Sequence, residues 1–396
     1  MDRKKPRPRR LGCLGLVVGC LLIGPSVAQA ATFTVNSPSD VVGAAPLTDG
    51  VCETAPGNGV CTLRAAIMEA NHSPGGPHTI NLPAGTFTLT IPASGADEET
   101  IGDLNITAGM SIIGGGASTT IIDGNHTVTN SRVFSINPGI SVSITGVTIR
   151  GGRAVFDGGG IFNSGTLTLT NSTVSGNSAN RDGGGIRNFS SATLFNSTIT
   201  NNQADADFNG TGTGGGIFNA SGATFNFQNT ILAGNRETVL FNGTFVPTNG
   251  ECAGSITSNG NNLMLNYDTS HCVVGGIAPP LADPQLGPLQ NNGGPTQTYA
   301  LLTGSPAIDG GDPGGCRDQL GALLTTDQRG FHRPIDGDSN GTIVCDIGAF
   351  EFGSGAPDRD FNGDGKPDLV WQNDTTRQVC ETWGARRGMC SKGGTG

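Results

Sequence analysis

Polar and apolar positions alternate along Thr166-Leu167-Thr168-Leu169-Thr170, the period of two that marks a strand with one buried side. The pattern returns at a fixed interval of 25 residues. At that offset Ile136, Ile161 and Ile186 coincide, as do Val142, Leu167 and Ala192, then Ile144, Leu169 and Leu194, then Ile149, Val174 and Ile199. Gly158-Gly159-Gly160 falls on Gly183-Gly184-Gly185, and Asn163, Asn171 and Asn177 fall on Asn188, Asn196 and Asn202. A further unit opens at Gly214-Gly215-Gly216-Ile217, 31 residues after Gly183, with the additional residues in a loop from Ala204 to Thr213.

A unit this short cannot bury its apolar side alone, so the repeat predicts a solenoid of stacked coils. Each coil would pair its backbone with its neighbours about 4.8 Å away. Leu167 would then sit on Val142, and Leu169 on Ile144. Asparagines at the turns would pass amide hydrogen bonds from coil to coil, and glycines would permit positive φ at the corners. Twenty-five residues suit three short strands and three turns. A β-propeller is the second choice, but its blades need about 40 residues. The open end of a solenoid needs a cover. One is predicted over Cys61–Asn71, where Leu63, Ala66, Ile67 and Ala70 share a helix face, Thr62 can cap the start and Asn71-His72-Ser73-Pro74 ends it.

Composition narrows the setting. Residues 1–30 hold six basic residues and one acid, then an apolar run to Val27 and Ala28-Gln29-Ala30, which predicts an export signal cut after Ala30. A lipoprotein-type cut before Cys20, or an uncleaved anchor, are the alternatives. No other run is long enough to cross a bilayer, so the mature chain is expected to have no span. It would carry 16 basic and 31 acidic residues, a net charge of −15, which argues against nucleic acid as a partner. Eight cysteines would remain, as neighbours: Cys52 and Cys61, Cys252 and Cys272, Cys316 and Cys345, Cys380 and Cys390. Export and an even count favour disulfides, and neighbour pairing is the expectation. With 65 glycines and 5% aromatics, the chain suits many tight turns and small stacked side chains.

Five resemblances follow from these motifs. The coil is similar to the right-handed parallel β-helix of the pectin-lyase-like fold, and the handedness is implied by that resemblance alone. The repeated Gly-Gly-Gly-Ile also resembles part of the repeats of polymorphic outer-membrane proteins. "CTLRAA" (Cys61–Ala66), with "FTVNSPSD" before it and "TINLPAGTFTLT" after it, resembles the CSLREA domain, with Thr62 and Ala65 replacing Ser and Glu. "GSPAIDGG" and "CDIGAFE" resemble the choice-of-anchor Q region that closes many bacterial surface β-helices. "DFNGDGKPDLVW" resembles an FG-GAP or VCBS blade. The implied organisation is a signal (1–30), a CSLREA-like cap (31–91), coils (92–282), a choice-of-anchor Q-like closing region (283–352) and a calcium-loop tail (353–396). One blade cannot make a propeller of about four to eight, so the tail reads as a fragment of a longer product or as disordered.

Candidate chemistry is sparse. In the tail, Asp360, Asn362, Asp364 and Asp368 occupy positions 1, 3, 5 and 9 of a calcium loop, and Lys366 could add its carbonyl at position 7. Trp371 at position 12 excludes an EF-hand. Two other groups have weaker calcium spacing and read better as polar loops: Asp97, Glu98, Glu99 and Asp103, and Asp336, Asp338, Asn340 and Asp346. Between Asn130 and Gly250 the acids are Asp157, Asp182, Asp205, Asp207 and Glu237, with no lysine, histidine or tryptophan. Asp157 and Asp182 would stack on adjacent coils, and Asp205 and Asp207 lie in the inserted loop, so these four are the catalytic candidates for a polysaccharide lyase or glycoside hydrolase. Arg153 and Arg181 could equally neutralise the stacked pair. Phe162, Arg187 and Phe218 would point outward, either as a contact strip or as edge packing under a loop. The expected product is a monomeric, secreted or surface-displayed bacterial β-helix, structural or adhesive, meeting extracellular glycans or proteins, with calcium in its tail.

Overall fold

The computed structural model describes residues 30–94, 99–115, 120–242, 244–293 and 297–353, and the backbone of three short tail strands. Its chain winds into a parallel β-helix with three faces. The first face stacks Leu104–Ile106, Phe134–Ile136, Ile161–Asn163, Ile186–Asn188 and Ile217–Asn219. On the second lie His78–Leu82, Met110–Gly114, Ser141–Thr145, Thr166–Thr170, Ser191–Phe195 and Thr224–Gln228. The third runs from Gly85–Thr88 through Thr148–Arg150, Thr173–Ser175 and Thr198–Thr200 to Leu263–Met264. The long strand Cys252–Ser258 pairs on both the first and second faces in the last full coil. Register follows the 25-residue repeat: Leu169 lies opposite both Ile144 and Leu194, and all three are buried in one continuous core. Each such side chain contributes roughly 1.5–3 kcal/mol.

Polar ladders occupy the corners. Asn163, Asn188 and Asn219 are buried and donate upward in turn, Nδ2 to Oδ1, at 2.6 and 2.7 Å. Asn177, Asn202 and Asn235 do the same at 3.0 and 2.9 Å. Asn235 then donates to Oε2 of buried Glu251 at 2.7 Å. A carboxylate only accepts, so it ends a column of donors without stranding a proton.

The repeated glycines have separate reasons. Gly158, Gly183 and Gly214 adopt φ of 69°, 69° and 66°. At the next position the chain passes against the neighbouring coil, so that a Cβ on Gly184 would lie 2.3 Å from the Gln203 carbonyl oxygen. The triplet thus combines a left-handed corner with close backbone approach.

Helix α1 (Leu63–His72) begins where predicted, with the Ala65 N–H donating to the Thr62 side chain. Leu63, Ala66, Ile67 and Ala70 join the same core as Ile80 and Leu104 of the first coils. The other side of α1 is buried too. Arg64 pairs with Asp40 at 2.6 Å and donates to the carbonyls of Glu99, Gly102 and Asp103. Glu69 accepts from Ser73 and from the Gly50 N–H. The segment before the helix therefore lies over it, and α1 is an interior layer of the cap.

Residues 283–352 lie along the third face. Thr148 donates to the Gln297 carbonyl at 2.7 Å, Thr173 to Gln328 at 2.6 Å, and Ala349 N–H to Thr198 at 3.2 Å. Higher up the contact is apolar: Ile231, Ala233 and Leu263 pack with Leu301, Ala307, Ile347 and Phe350. At its centre Arg333 is fully buried, paired with Glu351 at 3.0 Å and donating to the Asp346 carbonyl at 2.7 Å. The region expected to close the tube sheathes its flank.

Three disulfides join the expected neighbours, Cys52–Cys61, Cys252–Cys272 and Cys316–Cys345. Cys380 and Cys390 face each other across paired tail strands, and their side chains fall outside the described residues. Leu286–Asn291 with Gln297–Leu301 and the tail strands pair antiparallel outside the coils, and one hairpin does so at the coil stack itself. Arg236–Phe241 and Thr244–Asn249 pair as an antiparallel hairpin, and the sequence between them, Asn242-Gly243, is the dipeptide that most favours a two-residue hairpin.

The glycine argument is checked by two substitutions. Gly184→Ala meets neighbouring backbone, whereas Gly176, at φ 65°, has nothing within 4 Å of an added Cβ. Urea denaturation should show a loss of about 1–2 kcal/mol for Gly176→Ala, the left-handed penalty alone, and about 3 kcal/mol or more for Gly184→Ala, where overpacking adds to any backbone effect.

Candidate functional site

The repeat places Asp157 and Asp182 at the same corner of adjacent coils, each just before a glycine triplet. Between them and the first face lies Arg187, in register with Phe162 below and Phe218 above. Its guanidinium pairs with Asp182 and lies 3.6 Å from Asp157. The same group stacks over Phe218 at 3.8 Å and Phe189 at 4.5 Å. Asp182 also accepts from the Thr213 N–H at 3.0 Å, and Asp157 from the Asp182 N–H at 3.2 Å. The counter-charge is therefore Arg187, and neither Arg153 nor Arg181 forms an ion pair with these carboxylates. Phe162, Arg187 and Phe218 lie in register on the first face, and the arginine neutralises the corner acids.

Asp205 is buried in its own loop, and its carboxylate accepts from the N–H groups of Asn209 and Gly210 at 2.9–3.0 Å. Asp207 is exposed and accepts from the Asn209 amide at 2.8 Å. Acid–base chemistry on a glycoside needs one carboxyl group to hold a proton while its partner is ionised. Asp157 and Asp182 share one cation, the Arg187 guanidinium. Only these two of the four candidates are brought together.

The other sequence candidates separate in the same way. Asp336 and Asp338 come together with Asp309, their carboxylate oxygens within 4.8 Å of one another. Asn340 completes the turn, its N–H reaching Asp336 at 3.1 Å and Asp338 at 3.0 Å. Asp346 faces away, buried, and accepts from the Asp309 N–H at 2.7 Å. Glu99 is engaged by Asn71 and His72, and Asp103 pairs with Arg132. Asp97 and Glu98, and the tail set Asp360, Asn362, Asp364, Lys366 and Asp368, lie outside the described residues.

Two arrangements were not read from the sequence. The second face carries an unbroken row of small polar side chains in strict register: Thr32, Thr79, Ser111, Ser143, Thr168, Thr193, Asn226 and Thr257. Seven steps of about 4.8 Å make it about 34 Å long. A parallel row holds Thr34, Asn81, Ile113, Thr145, Thr170, Phe195 and Gln228. No outward position in either row is ionisable. The alternation that turns these residues outward was visible, but their alignment depends on register held through coils of unequal length, and Gln319 covers Thr170. The second arrangement joins the hairpin to the last coil. Glu237 on the hairpin has a side chain only 4% exposed, and His271 Nδ1 lies 3.7 Å from its Oε1 and 3.5 Å from Asp268 Oδ2. A cavity of about 340 Å³ opens beside them, lined also by Tyr267, Asn249 and Asn266. Asp268 and His271 share one turn before Cys272, a local signal, but nothing in the sequence ties that turn to Glu237.

The chain matches no known protein family, no curated protein and no solved structure. Among the described residues no helix is long and apolar enough to cross a membrane. Three disulfides fit an oxidising compartment.

Burial raises the proton affinity of several acids. Glu251 is pushed up to about 7, against the pull of its bonds from Asn235 and Gly234. Burial also raises Glu237, Asp346 and Glu351. A raised folded-state value means that the folded chain holds the proton more tightly than the unfolded one. That stability is complete below the ordinary value of 4.5 and is lost as pH rises towards 7 for Glu251. For Glu251 the span is worth about 3 kcal/mol. Thermal melts should therefore give a higher Tm near pH 5 than near pH 8, and Glu251→Gln should flatten that slope.

Proposed function

We propose that this chain is a secreted or surface-displayed bacterial structural or adhesive protein, a β-helix that presents an extended face to extracellular glycans or proteins. The observation that supports the reading is the second face. The third face is sheathed by residues 283–352, and the first spends Arg187 on its own acids. The second keeps its row from Thr32 to Thr257 half-buried or exposed and free of ionisable groups, with only Thr170 of the parallel row covered, by Gln319. Such a surface offers hydroxyl and amide hydrogen bonds at a fixed repeat and little attraction for charge, which suits a neutral polymer better than an anionic one. The rigid scaffold lowers the entropy lost on binding. The resemblance to CSLREA and choice-of-anchor Q surface proteins agrees with this setting. In the same reading the tail binds calcium through Asp360, Asn362, Asp364, Asp368 and the Lys366 carbonyl, as a structural ion that stiffens the segment.

Binding to insoluble neutral polysaccharides and to immobilised matrix proteins tests the face. Thr168→Lys/Thr193→Lys should weaken binding by about tenfold, through loss of two contacts and burial of two charges, while Asp182→Asn should leave it unchanged. Equal binding by the face variant and the wild type contradicts the proposal. So does release of reducing or unsaturated ends that Asp182→Asn abolishes, which would mark a polysaccharide-cleaving enzyme. For the tail, calorimetry should show calcium uptake that Asp364→Ala removes; identical isotherms refute the site.

A further inference from the structure

We propose that the last strand of the tube is a dimerisation edge, where Cys272–Gly276 pairs antiparallel with the same strand of a second copy of this chain. This goes beyond the adhesive reading and does not rest on it. Cys272–Gly276 ends the second face, laid parallel on Cys252–Ser258. Among the described residues no strand pairs with its other edge. The Gly254 N–H donates to the His271 carbonyl at 2.8 Å, and the Ile277 N–H to the Ser258 carbonyl at 2.9 Å. Backbone groups alternate between the two sides of a strand, so Cys272, Val274 and Gly276 turn theirs away from the coil below. The Cys272 N–H is taken by the Asp268 carbonyl at 2.9 Å. The Val274 N–H and carbonyl have no partner among the described residues.

Proteins guard a strand edge with charges, proline or a covering element. Helix α1 covers the core at the first end of the tube. From Cys272 to Ala278 the last strand and its extension hold neither a charged residue nor a proline. Val273, Ile277 and Leu281 are 59%, 63% and 54% exposed, an apolar border beside open backbone. The Cys252–Cys272 disulfide ties the start of the strand to the coil below, so the edge is held ready for pairing.

The strand is complementary to itself. A two-fold axis through Val274 lets that residue exchange both backbone bonds with its own copy, and sets Val273 opposite Gly275 of the second copy. Pairs of the latter kind bring side chains closest. A glycine inside a strand weakens it and marks a place where another chain approaches. Nothing within the chain calls for glycine at 275. Its φ lies outside the left-handed region, and an added Cβ would find only the Ile256 carbonyl oxygen, at 3.9 Å. Val273 of the second copy fills that space. An isologous contact of this kind closes on itself and stops at two chains. It also joins the two second faces in one sheet with their outward residues on the same side, which doubles the length of the face.

Sedimentation of the full-length secreted chain tests the edge. The mass should rise towards that of a dimer with protein concentration, and no further. Val273→Lys/Gly275→Lys sets like charges directly opposite one another at two places. It should fold normally by circular dichroism and weaken the dimer by at least roughly tenfold. In a mixture of Val273→Cys and Gly275→Cys chains, mild oxidation should link 273 to 275 in preference to either residue with its own copy, since opposite residues lie within disulfide reach. A monomer at every concentration overturns the proposal and leaves the edge to the chain's own tail or to a different protein. A dimer that the double-lysine variant leaves unchanged overturns it too, as does a preference for the 273–273 or 275–275 link.

Discussion

Every coil of this protein shares its backbone hydrogen bonds with the coils above and below. Strands in a parallel sheet sit about 4.8 Å apart, and a buried backbone group left unpaired is costly. Residues at one position of the repeat must therefore have the same backbone conformation and nearly the same side-chain depth. Leu169 over Ile144, Asn188 over Asn163 and Gly183 over Gly158 each meet that demand. A change of size is absorbed only where a loop leaves the stack, as at Ala204–Thr213, or where a hairpin does, as at Arg236–Asn249.

A stacked tube has three outer faces and two ends, and each meets a different fate. Helix α1 and the segment over it fill the first end, tied by Arg64 and Asp40. The third face begins polar, with Thr148, Thr173 and Thr198, and ends apolar, with Ile231, Ala233 and Leu263. The sheath matches both parts, offering Gln297 and Gln328 to the first and Ile347 and Phe350 to the second. On the first face, arginine and phenylalanine form a layer that neutralises the corner acids. What remains is the second face. Its hydroxyl rows are a product of the repeat itself, because each outward position of each coil adds one member.

Much of this was legible in the sequence because it is local or periodic. The coil, its inward residues, the asparagine ladders, the Thr62 cap and the neighbour disulfides all depend on spacing. The partners that were missed are distant in the chain. Thr173 meets Gln328, Asn171 meets Arg333, and Glu237 meets His271, and no period links them. Arg187 was seen as an outward residue, but its pairing with Asp157 and Asp182 needs the corner geometry. The hairpin is a different case. Asn242-Gly243 between two alternating segments announced it, and the parallel repeat around it masked the signal.

The register between coils is the central claim, and an engineered cross-link tests it most directly. In the chain carrying Thr168→Cys and Thr193→Cys, the two thiols should lie on adjacent strands of one row, within disulfide reach. Mild oxidation followed by peptide mapping should recover the 168–193 link in high yield. A higher yield of the link in a second chain carrying Thr168→Cys and Leu194→Cys, or no link in either folded chain, would contradict the stacking on which the account rests.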